Sequence, residues 1–463
     1  MMVSYFRSLI GKRSFYKNVM LIVLPIIVQN LVSNFVSLLD NVMVGRLGTD
    51  EISGVTIINQ LIFVFQLAIF GGLSGAGIFT AQYFGAEDME GVRYTFRFKL
   101  YTALAVLAVT FGILLILPDQ LIGLYLTAGD PESVAATLSY AKSYLNIILM
   151  GLPAFAVTQC YAHTLRECGQ TAMPMKASVA EVLTNMVLNY LLIYGKLGLP
   201  RLGVEGAAIA TVISHLVGLA ILVIYSHRHT DRHPFVKGLY RSPYIPGDVA
   251  KSIFRRGSVL LFNEVLWSVS ITTLTQLYTH RGLIVVAALS ITATVSNIFN
   301  VLAFSMGDAI SIMVGQDLGA SRMEEARSDA RQLTALSFAI AVVLLGVMAL
   351  VARYIPLIYN VAEEARSLAI RLIMICAYVM PIDALAHCSY FIMRAGGKTF
   401  ITFLYDSAFN WLIQLPLCYV LVTYTEMPFV TIFLLCSLTS LIKAVAGIIM
   451  VRKGIWIHNI IEE

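Results

Sequence analysis

The stretch AQYFGAEDMEGVR at residues 81–93 recurs as GQDLGASRMEEAR at residues 315–327. The alignment extends without a gap over residues 47–93 and 281–327, and 11 of the 47 aligned positions are identical. Self-similarity at a fixed offset within one apolar chain is the sequence sign of a transporter built from two repeated halves. We therefore expect two lobes with a substrate route between them.

Both halves also share a second motif, P-x12-R-x2-G-x-T, at an offset that is shorter by six residues. The motif begins at Pro153 in the first half and at Pro381 in the second. The repeat therefore extends beyond the first aligned block.

The composition places the chain in a bilayer. Hydrophobic residues make up 58% of the chain and charged residues 13%, whereas charged residues are about a quarter of a soluble protein. Apolar runs long enough to cross the roughly 30 Å hydrocarbon core recur along the sequence, and runs of this length are helices rather than barrel strands. The predicted fold class is all-α, a polytopic membrane protein with twelve transmembrane helices in two six-helix lobes. The predicted spans lie near residues 18–43, 52–82, 94–117, 133–165, 174–195, 204–227, 249–279, 284–316, 329–351, 364–394, 399–423 and 428–450.

The distribution of Lys and Arg predicts the orientation of the chain. An even number of helices puts both termini on one side, and that side carries 23 of the 32 Lys and Arg residues, among them Arg97 and Lys99. Cytoplasmic loops carry the excess of basic residues. We therefore expect both termini to be cytoplasmic, in the plasma (cell inner) membrane. The net charge of +5 follows from this topology and does not indicate a nucleic-acid partner.

The longest polar connection divides the chain into domains. We predict an N-terminal lobe at residues 1–227, a cytoplasmic linker at 228–247 and a C-terminal lobe at 248–463. Three histidines cluster between residues 227 and 233, but no carboxylate or thiol partner completes a site of the usual ligand number. We therefore expect a plain basic linker and no bound metal.

The first predicted helix carries a polar stripe. Ionisable residues at bilayer depth are costly, so each one is a candidate for function. Asn30, Ser37 and Asp40 lie on one face at helical spacing. Pro25, earlier in the same helix, removes a backbone hydrogen bond and predicts a bend. An acid on a bendable helix indicates a coupling-ion or proton site, and the alternative is an Asp that caps the helix at the membrane edge.

The seventh and tenth predicted helices carry two further acids, and we expect their polar stripes to face each other. Glu264 lies on a face of hydroxyl side chains, and Asp383, His387, Tyr390 and Arg394 follow one another at spacings of four, three and four residues. Acids with nearby oxygens suit Na+, and buried acids that take up a proton suit H+. The alternative is an internal salt bridge between Asp383 and Arg394. His387 is interpreted as a core histidine in preference to a proton relay.

Weaker candidates remain elsewhere. The fifth helix has a polar face with Glu181, Asn185 and Asn189, and Asp308 and Asp406 are interpreted as structural. The many aromatic and methionine side chains suit a pocket for flat organic cations.

Six runs resemble a known family: Pro25 through Asp40, VGRLG at residues 44–48, AQYFGA at 81–86, Asn185-x3-Asn189 through Gly195, GVEGAAIAT at 203–211 and GQDLGA at 315–320. Along the whole chain they resemble the multidrug and toxic compound extrusion (MATE) family. The resemblance implies an efflux antiporter, not an enzyme, that exports cationic or amphipathic drugs against inward Na+ or H+. Two lobes would rock around a central cavity, and no cofactor is needed besides the coupling ion.

The resemblance also implies roles for individual residues. Asp40 matches the family's first-helix carboxylate, while Glu264 and Asp383 match the acids of the NorM-like branch. Asn189 departs from the pattern, because many members carry Asp there and an amide cannot titrate. The departure shifts the expected coupling site toward Asp40 alone or toward the Glu264 and Asp383 cluster, and favours a Na+-capable, NorM-like branch. The polar residues expected to line the substrate cavity are Asn30, Ser37, Asn185, Asn189, His387 and Tyr390.

Two alternatives stay open at this point. A lipid-linked-oligosaccharide flippase of the same superfamily would want a strongly cationic cavity, but the intramembrane bases are Lys142, Arg371 and Lys443. An intramembrane aspartyl protease could use Asp308 and Asp406, although the required G-x-G-D motif is incomplete. We expect a monomer in contact with membrane lipid and a small organic substrate.

Overall fold

The structure is a computed structural model, and its helices confirm the predicted all-α class. No strand occurs within the described segments of the chain. The described residues are 9–126, 130–359 and 361–462, with the backbone alone described at 36–38, 41 and 42.

Within these residues, twelve helices are long and apolar enough to cross a membrane, in agreement with the sequence. The fourth contains a single 3-10 turn at Leu149–Gly151, and all others except the eleventh are continuous α-helices. The helices are α1 Arg13–Gly45, α2 Thr49–Gly85, α3 Met89–Ile116, α4 Pro131–Glu167, α5 Ala172–Tyr194, α6 Gly203–Arg228, α7 Gly247–Thr279, α8 Leu283–Gly319, α9 Met323–Val351, α10 Glu363–Ala395, α11 Thr399–Tyr424 and α12 Phe429–Lys453.

The helix bounds repeat at the offsets seen in the sequence. α2 and α8 are each 37 residues long, and both their ends differ by the offset of the first alignment. α4 and α10 end at Glu167 and Ala395, at the offset of the second motif. Gly169 and Gly397 follow with φ of 77° and 70°, in the left-handed region that favours glycine after a helix. The shared R-x2-G-x-T motif is therefore a helix-termination signal.

The chain divides into two compact units. The N-terminal unit comprises Leu24–Thr80 and Asp88–Gly257, and the C-terminal unit comprises Met1–Val23, Ala81–Glu87 and Ser258–Glu463. The last residues of α2 thus belong to the C-terminal unit. The lobe and linker boundaries expected from the sequence stay a prediction.

The repeated glycines bring the ends of α2 and α8 together in the C-terminal unit. A Cβ atom added to Gly85 would overlap the backbone of Gln316, and one added to Gly319 would overlap the backbone of Gln82. The contact is reciprocal because the two pairs occupy equivalent positions of the repeat. Only glycine allows the backbones to approach this closely, which explains why the Q-x2-G-A motif stands in both halves.

Gln82 also fastens the C-terminal end of the chain. Its side chain is fully buried; Nε2 donates to the Ala395 carbonyl at 3.0 Å and Oε1 accepts from the Ile460 backbone N–H at 2.8 Å. Trp456, only 1% exposed, packs beside this site, and its carbonyl lies where a Cβ atom of Gly396 would be. The segment after α12 is therefore part of the packed unit.

The connection between α6 and α7 packs against α3, which the sequence did not predict; the basic cytoplasmic linker stays a prediction. Phe235 and Leu239 are each 1% exposed. Arg97 of α3, assigned from the sequence to a cytoplasmic loop, donates to the carbonyls of Leu239 at 3.0 Å and Tyr244 at 2.9 Å. Val236, beside Phe235, is also buried. These few apolar residues in a polar segment show no helical or strand periodicity, so their burial depends on the surface that α3 presents.

His233 lies buried in this connection, with 1% of its surface exposed. Burial lowers the pKa of its imidazole from the ordinary 6.5, and the nearby His229 and Arg232 add to the effect. Its Nε2 atom has no hydrogen-bond partner among the described residues. The folded chain therefore favours the neutral imidazole.

Candidate functional site

In the N-terminal unit, the carboxylate of Asp40 on α1 is held by two amides of α5. Asn189 Nδ2 donates to Asp40 Oδ1 at 2.6 Å. The Asn185 amide, with its nitrogen toward α1, donates to both carboxylate oxygens at 2.9 and 3.2 Å, and its oxygen accepts from Thr211 Oγ1 of α6 at 3.2 Å. The four-residue spacing on α5 places both amides on one face. Three helices thus converge on one acid.

The surroundings of Asp40 leave its charge without a cationic partner. Within the described residues, no Lys, Arg or His forms an ion pair with Asp40, and its hydrogen-bond partners are amides. Asn189 is 1% exposed, and its Oδ1 atom has no hydrogen-bond partner in the described chain. A carboxylate and a free amide oxygen are ligands of the kind that hard cations prefer, and a carboxylate also accepts a proton.

The other first-helix predictions have different outcomes. α1 continues to Gly45, so Asp40 lies within the helix and the capping alternative is wrong. Asn30 is half-buried on α1, and the side chain of Ser37 lies outside the described residues. α1 is helical on both sides of Pro25, and the bend expected there stays a prediction.

In the C-terminal unit, the polar stripes of α7 and α10 face each other, as the sequence predicts. Tyr390 donates its hydroxyl hydrogen to Glu264 Oε1 at 3.2 Å, and Arg394 Nη1 lies 3.5 Å from the same oxygen. Asn263 Nδ2 donates to the Tyr390 hydroxyl at 3.2 Å. The four side chains form one hydrogen-bonded cluster.

The partner of Arg394 is Glu264, so the alternative considered from the sequence, a salt bridge between Asp383 and Arg394, is wrong. Asp383 and Arg394 share a face of α10 but are separated by three turns, which is about 16 Å along the axis. Helical spacing identified the face correctly, whereas the acid within reach comes from another helix.

A second ion pair in this unit joins α11 and α12. α11 contains two π-helical segments between residues 404 and 414, a distortion that often occurs at functional positions. Lys443 Nζ lies 2.8 Å from Asp406 Oδ1 and donates to Asn410 Oδ1 at 3.5 Å. Asn263 Nδ2 reaches Asp406 Oδ2 at 3.4 Å. Asp406, a weak candidate from the sequence, therefore adjoins the Glu264 cluster.

Asp383 and His387 lie elsewhere on α10. The carboxyl group of Asp383 is within hydrogen-bonding reach of Ser440, and Lys443 is close enough to act on it electrostatically. His387 Nδ1 lies 3.0 Å from the Asp383 carbonyl, and its ring contacts Phe304 edge-on, with 5.6 Å between centroids. These contacts fit a satisfied core histidine. The hydrogen-bond partners of Glu264 and Asp383 differ, so the two acids do not form one pair.

Four ionisable side chains of the N-terminal unit were missed from the sequence. Lys99 of α3, assigned to a loop, is fully buried and pairs with Glu167 of α4. His215 of α6 pairs with Glu181 of α5, and Tyr144 of α4 lies close enough to Asp40 to interact electrostatically. The signal was available for Lys99 and His215, because each is an ionisable residue inside an apolar run.

Comparison with known proteins agrees with this architecture. The family model described as MatE matches residues 25–191 and 260–420, which is more than half of the chain. The probable multidrug resistance protein YoeA of Bacillus subtilis is 26% identical over 424 residues, covering 90% of this chain and 89% of YoeA. The probable multidrug resistance protein NorM of Thermotoga maritima is 25% identical over 418 residues, covering 89% of this chain and 86% of NorM.

A solved structure has the same fold. The bent form of the Vibrio cholerae MATE transporter VcmN superimposes with a TM-score of 0.84 and 18% sequence identity, covering 95% of this chain and 97% of that chain. Likeness at this identity concerns the fold alone. The family match extends over both repeated halves, including Asp40 of the first and Glu264 of the second. The chain therefore belongs to the multidrug and toxic compound extrusion (MATE) family of membrane transporters.

Proposed function

We propose that this chain is a secondary active antiporter that exports cationic or amphipathic organic compounds in exchange for Na+ or H+. Family membership and the likeness to relatives named multidrug resistance proteins support drug export by alternating access of two lobes. Twelve apolar helices support a multi-pass protein of the plasma (inner) membrane. The excess of basic residues on one side supports cytoplasmic termini. The protein works as a monomer and needs no cofactor beyond its coupling ion.

The surroundings of Asp40 are the observation that carries this proposal. Its carboxylate is held between α1 and α5 by amide donors at 2.6 to 3.2 Å and has no basic partner in the described chain. An isolated negative charge at bilayer depth is costly, so it favours the binding of a cation or proton. Each of the two possible coupling ions neutralises it.

This single charge supplies a physical basis for exchange. When the coupling ion neutralises Asp40, the electrostatic attraction for an organic cation is lost, and when the ion leaves, the attraction returns. Two ligands that compete for one charge lower each other's affinity reciprocally. Inward movement of the ion then drives outward movement of the drug, provided that the two states open to opposite sides.

We propose that the acids of the C-terminal unit form a second coupling cluster, which contributes less to ion binding than Asp40 does. Glu264 has Arg394 at 3.5 Å, and Lys443 acts on Asp383 while it pairs with Asp406. Because these bases already offset much of the negative charge, the cluster has less need of an external cation than Asp40 does. This contrast favours Asp40 as the principal coupling residue.

The contacts support neither alternative function. A pyrophosphate-binding flippase needs a cluster of uncompensated positive charge. Of the three intramembrane bases named from the sequence, Lys142 and Lys443 are each paired with an acid, which leaves Arg371. An aspartyl protease needs two acids that share a proton, but Asp406 pairs with Lys443 and Asp308 acts on Arg394.

Transport in liposomes tests the proposal. Purified protein is reconstituted, and ethidium movement is followed under an imposed Na+ gradient or an imposed pH gradient. We expect transport under at least one gradient, and we expect Asp40→Asn to reduce it at least tenfold, with smaller losses for Glu264→Gln and Asp383→Asn.

Asp231→Asn is the matched control, because Asp231 is an acid of the same chain whose side chain is 96% exposed in the connection between α6 and α7. It should transport like the unmodified protein. Transport by Asp40→Asn at the unmodified rate, at several pH values and under both gradients, would remove Asp40 from the mechanism. Absence of transport under both gradients would overturn the proposed export function and would favour a lipid as the substrate.

A further inference from the structure

A His–Glu pair lies inside the N-terminal unit and is not part of the Asp40 contacts described above. His215 Nδ1 of α6 contacts Glu181 Oε1 of α5, and the two side chains are 16% and 21% exposed. Phe155 of α4 covers the imidazole edge-on, with ring centroids 5.3 Å apart. Gly218 leaves room for the carboxylate, since a Cβ atom there would lie 2.8 Å from Glu181 Oε2. The pair is thus built into the helix packing.

The pair lies one helical turn from the Asp40 site on both of its helices. Glu181 precedes Asn185 by four residues on α5, and His215 follows Thr211 by four residues on α6. Each step advances about 6 Å along a helix axis. Asn185 and Thr211 are themselves hydrogen-bonded at 3.2 Å, so one polar line runs from Asp40 to the His–Glu pair. In the predicted topology, the pair lies on the cytoplasmic side of Asp40.

The chemistry of the pair differs from that of an Arg or Lys salt bridge. Imidazole is the side chain whose ordinary titration falls in the physiological range, and a carboxylate in contact with it can share or hand over the same proton. An imidazole–carboxylate contact holds a proton that either group can carry, whereas an Arg–Glu contact keeps both of its charges. A change of charge at Asp40, whose carboxylate contacts Asn185, acts on the pair one helical turn away through low-dielectric surroundings.

Other titratable groups of the unit lie at the two ends of this polar line. Among the described residues, Asp40 on α1 and Tyr144 on α4 interact at its Asn185 end. Farther along α4, His163 and Glu167 interact with each other at 3.9 Å, and Glu167 pairs with Lys99 of α3.

We propose that Glu181 and His215 form a second proton-binding site of the N-terminal unit, which exchanges a proton in step with ion and substrate binding at Asp40. The inference rests on the proposed export function and names H+ as a coupling ion. A proton that leaves Asp40 for the cytoplasm passes the level of this pair, and the pair holds or releases its own proton as the charge of Asp40 changes. No covalent step is involved.

Proton release on substrate binding tests the proposal directly. Purified protein in weakly buffered detergent solution is mixed with ethidium, and the protons released per bound ethidium are measured with a pH-sensitive dye between pH 5.5 and 8.5. We expect Glu181→Gln and His215→Gln each to release about one proton fewer across part of this range than the unmodified protein. Both substitutions keep a hydrogen-bonding side chain, and either one suffices for the test.

Two further variants separate proton binding from a purely structural role. Glu181→Asp retains a titratable carboxylate and should recover most of the release. His163→Gln removes another imidazole of the same unit, outside the polar line, and should leave the release and its pH profile unchanged.

The outcomes are distinct. Lower ethidium affinity in Glu181→Gln with an unchanged number of released protons and an unchanged pH profile would show that the pair only positions α5 and α6, and would overturn the inference. Unmodified protein that transports with a Na+ gradient yet releases no protons would also overturn it, while the export function would stand. Protein that neither binds nor transports ethidium would overturn the function itself, and the inference with it.

Discussion

Replacement of Lys443 by methionine removes the cation that faces Asp406 in the C-terminal unit, and we predict a large loss of stability. The ammonium nitrogen and the carboxylate oxygen are 2.8 Å apart, and the side chains are 16% and 15% exposed. At that distance the attraction is about 6 kcal/mol for an effective dielectric constant of about 20. Desolvation of both groups offsets part of it, so removal of one partner is expected to cost about 3–5 kcal/mol.

Titration with sodium dodecyl sulfate in mixed micelles measures this loss as a change in the free energy of unfolding. The double variant Asp406→Asn/Lys443→Met removes both charges and leaves an amide that still accepts from Asn263. We expect it to recover most of the stability, because no charge is left without its partner. Lys237→Met is the matched control, since Lys237 and Asp231 are 3.4 Å apart with side chains 59% and 96% exposed, and loss of such a pair should not be measurable.

The double variant distinguishes a carboxylate left without its partner from lost packing of the lysine stem. If Asp406→Asn/Lys443→Met is as unstable as Lys443→Met alone, the loss comes from packing of the lysine stem and not from a stranded carboxylate. If Lys443→Met unfolds like the unmodified protein, the pair does not carry the interaction energy assigned to it, and the bases of this unit do not offset its acids.

Two further predictions concern the parts of the chain that flank the membrane helices. Gln82→Leu leaves the Ala395 carbonyl and the Ile460 N–H buried without partners, which costs about 1–3 kcal/mol for each group. The C-terminal end should therefore become susceptible to carboxypeptidase. Gln60→Leu, at an exposed position of α2, is the control and should not change this susceptibility. His233 has a lowered pKa in the folded chain, so the unfolded chain binds the proton more readily and stability should fall as pH drops below about 6.5. His233→Phe should flatten this dependence in thermal unfolding between pH 8 and pH 5, and an unchanged slope would contradict it.

The position of Asp40 illustrates how far sequence patterns extend. Its spacing of three and four residues along the polar stripe predicted a functional face of α1, and the four-residue spacing of Asn185 and Asn189 predicted a face of α5. Neither pattern says which helices meet. Asn189 and Asp40 are 149 residues apart in the chain, and their contact depends on how α1 and α5 pack.

The ion-pair partners of the basic residues were also not predictable from local spacing. Spacing on α10 suggested Arg394 as the partner of Asp383, yet the carboxylate within reach is Glu264 from α7. Lys99 was assigned to a loop because basic residues near a span end normally lie in water, whereas Glu167 of α4 offers it a buried partner. An ion pair forms where two helices bring opposite charges together, and local spacing does not encode that geometry.

The sequence by itself determined that the chain is a duplicated bundle of twelve membrane helices, because bilayer thickness sets the length of each apolar run and the repeat is visible at fixed offsets. It also determined where α4 and α10 end, since glycine alone adopts the required φ without strain. Tertiary structure alone decided which acids are compensated by bases and which are held only by amides. It also decided that Glu181 and His215 meet, because such contacts join residues on different helices and depend on the packing of the whole unit.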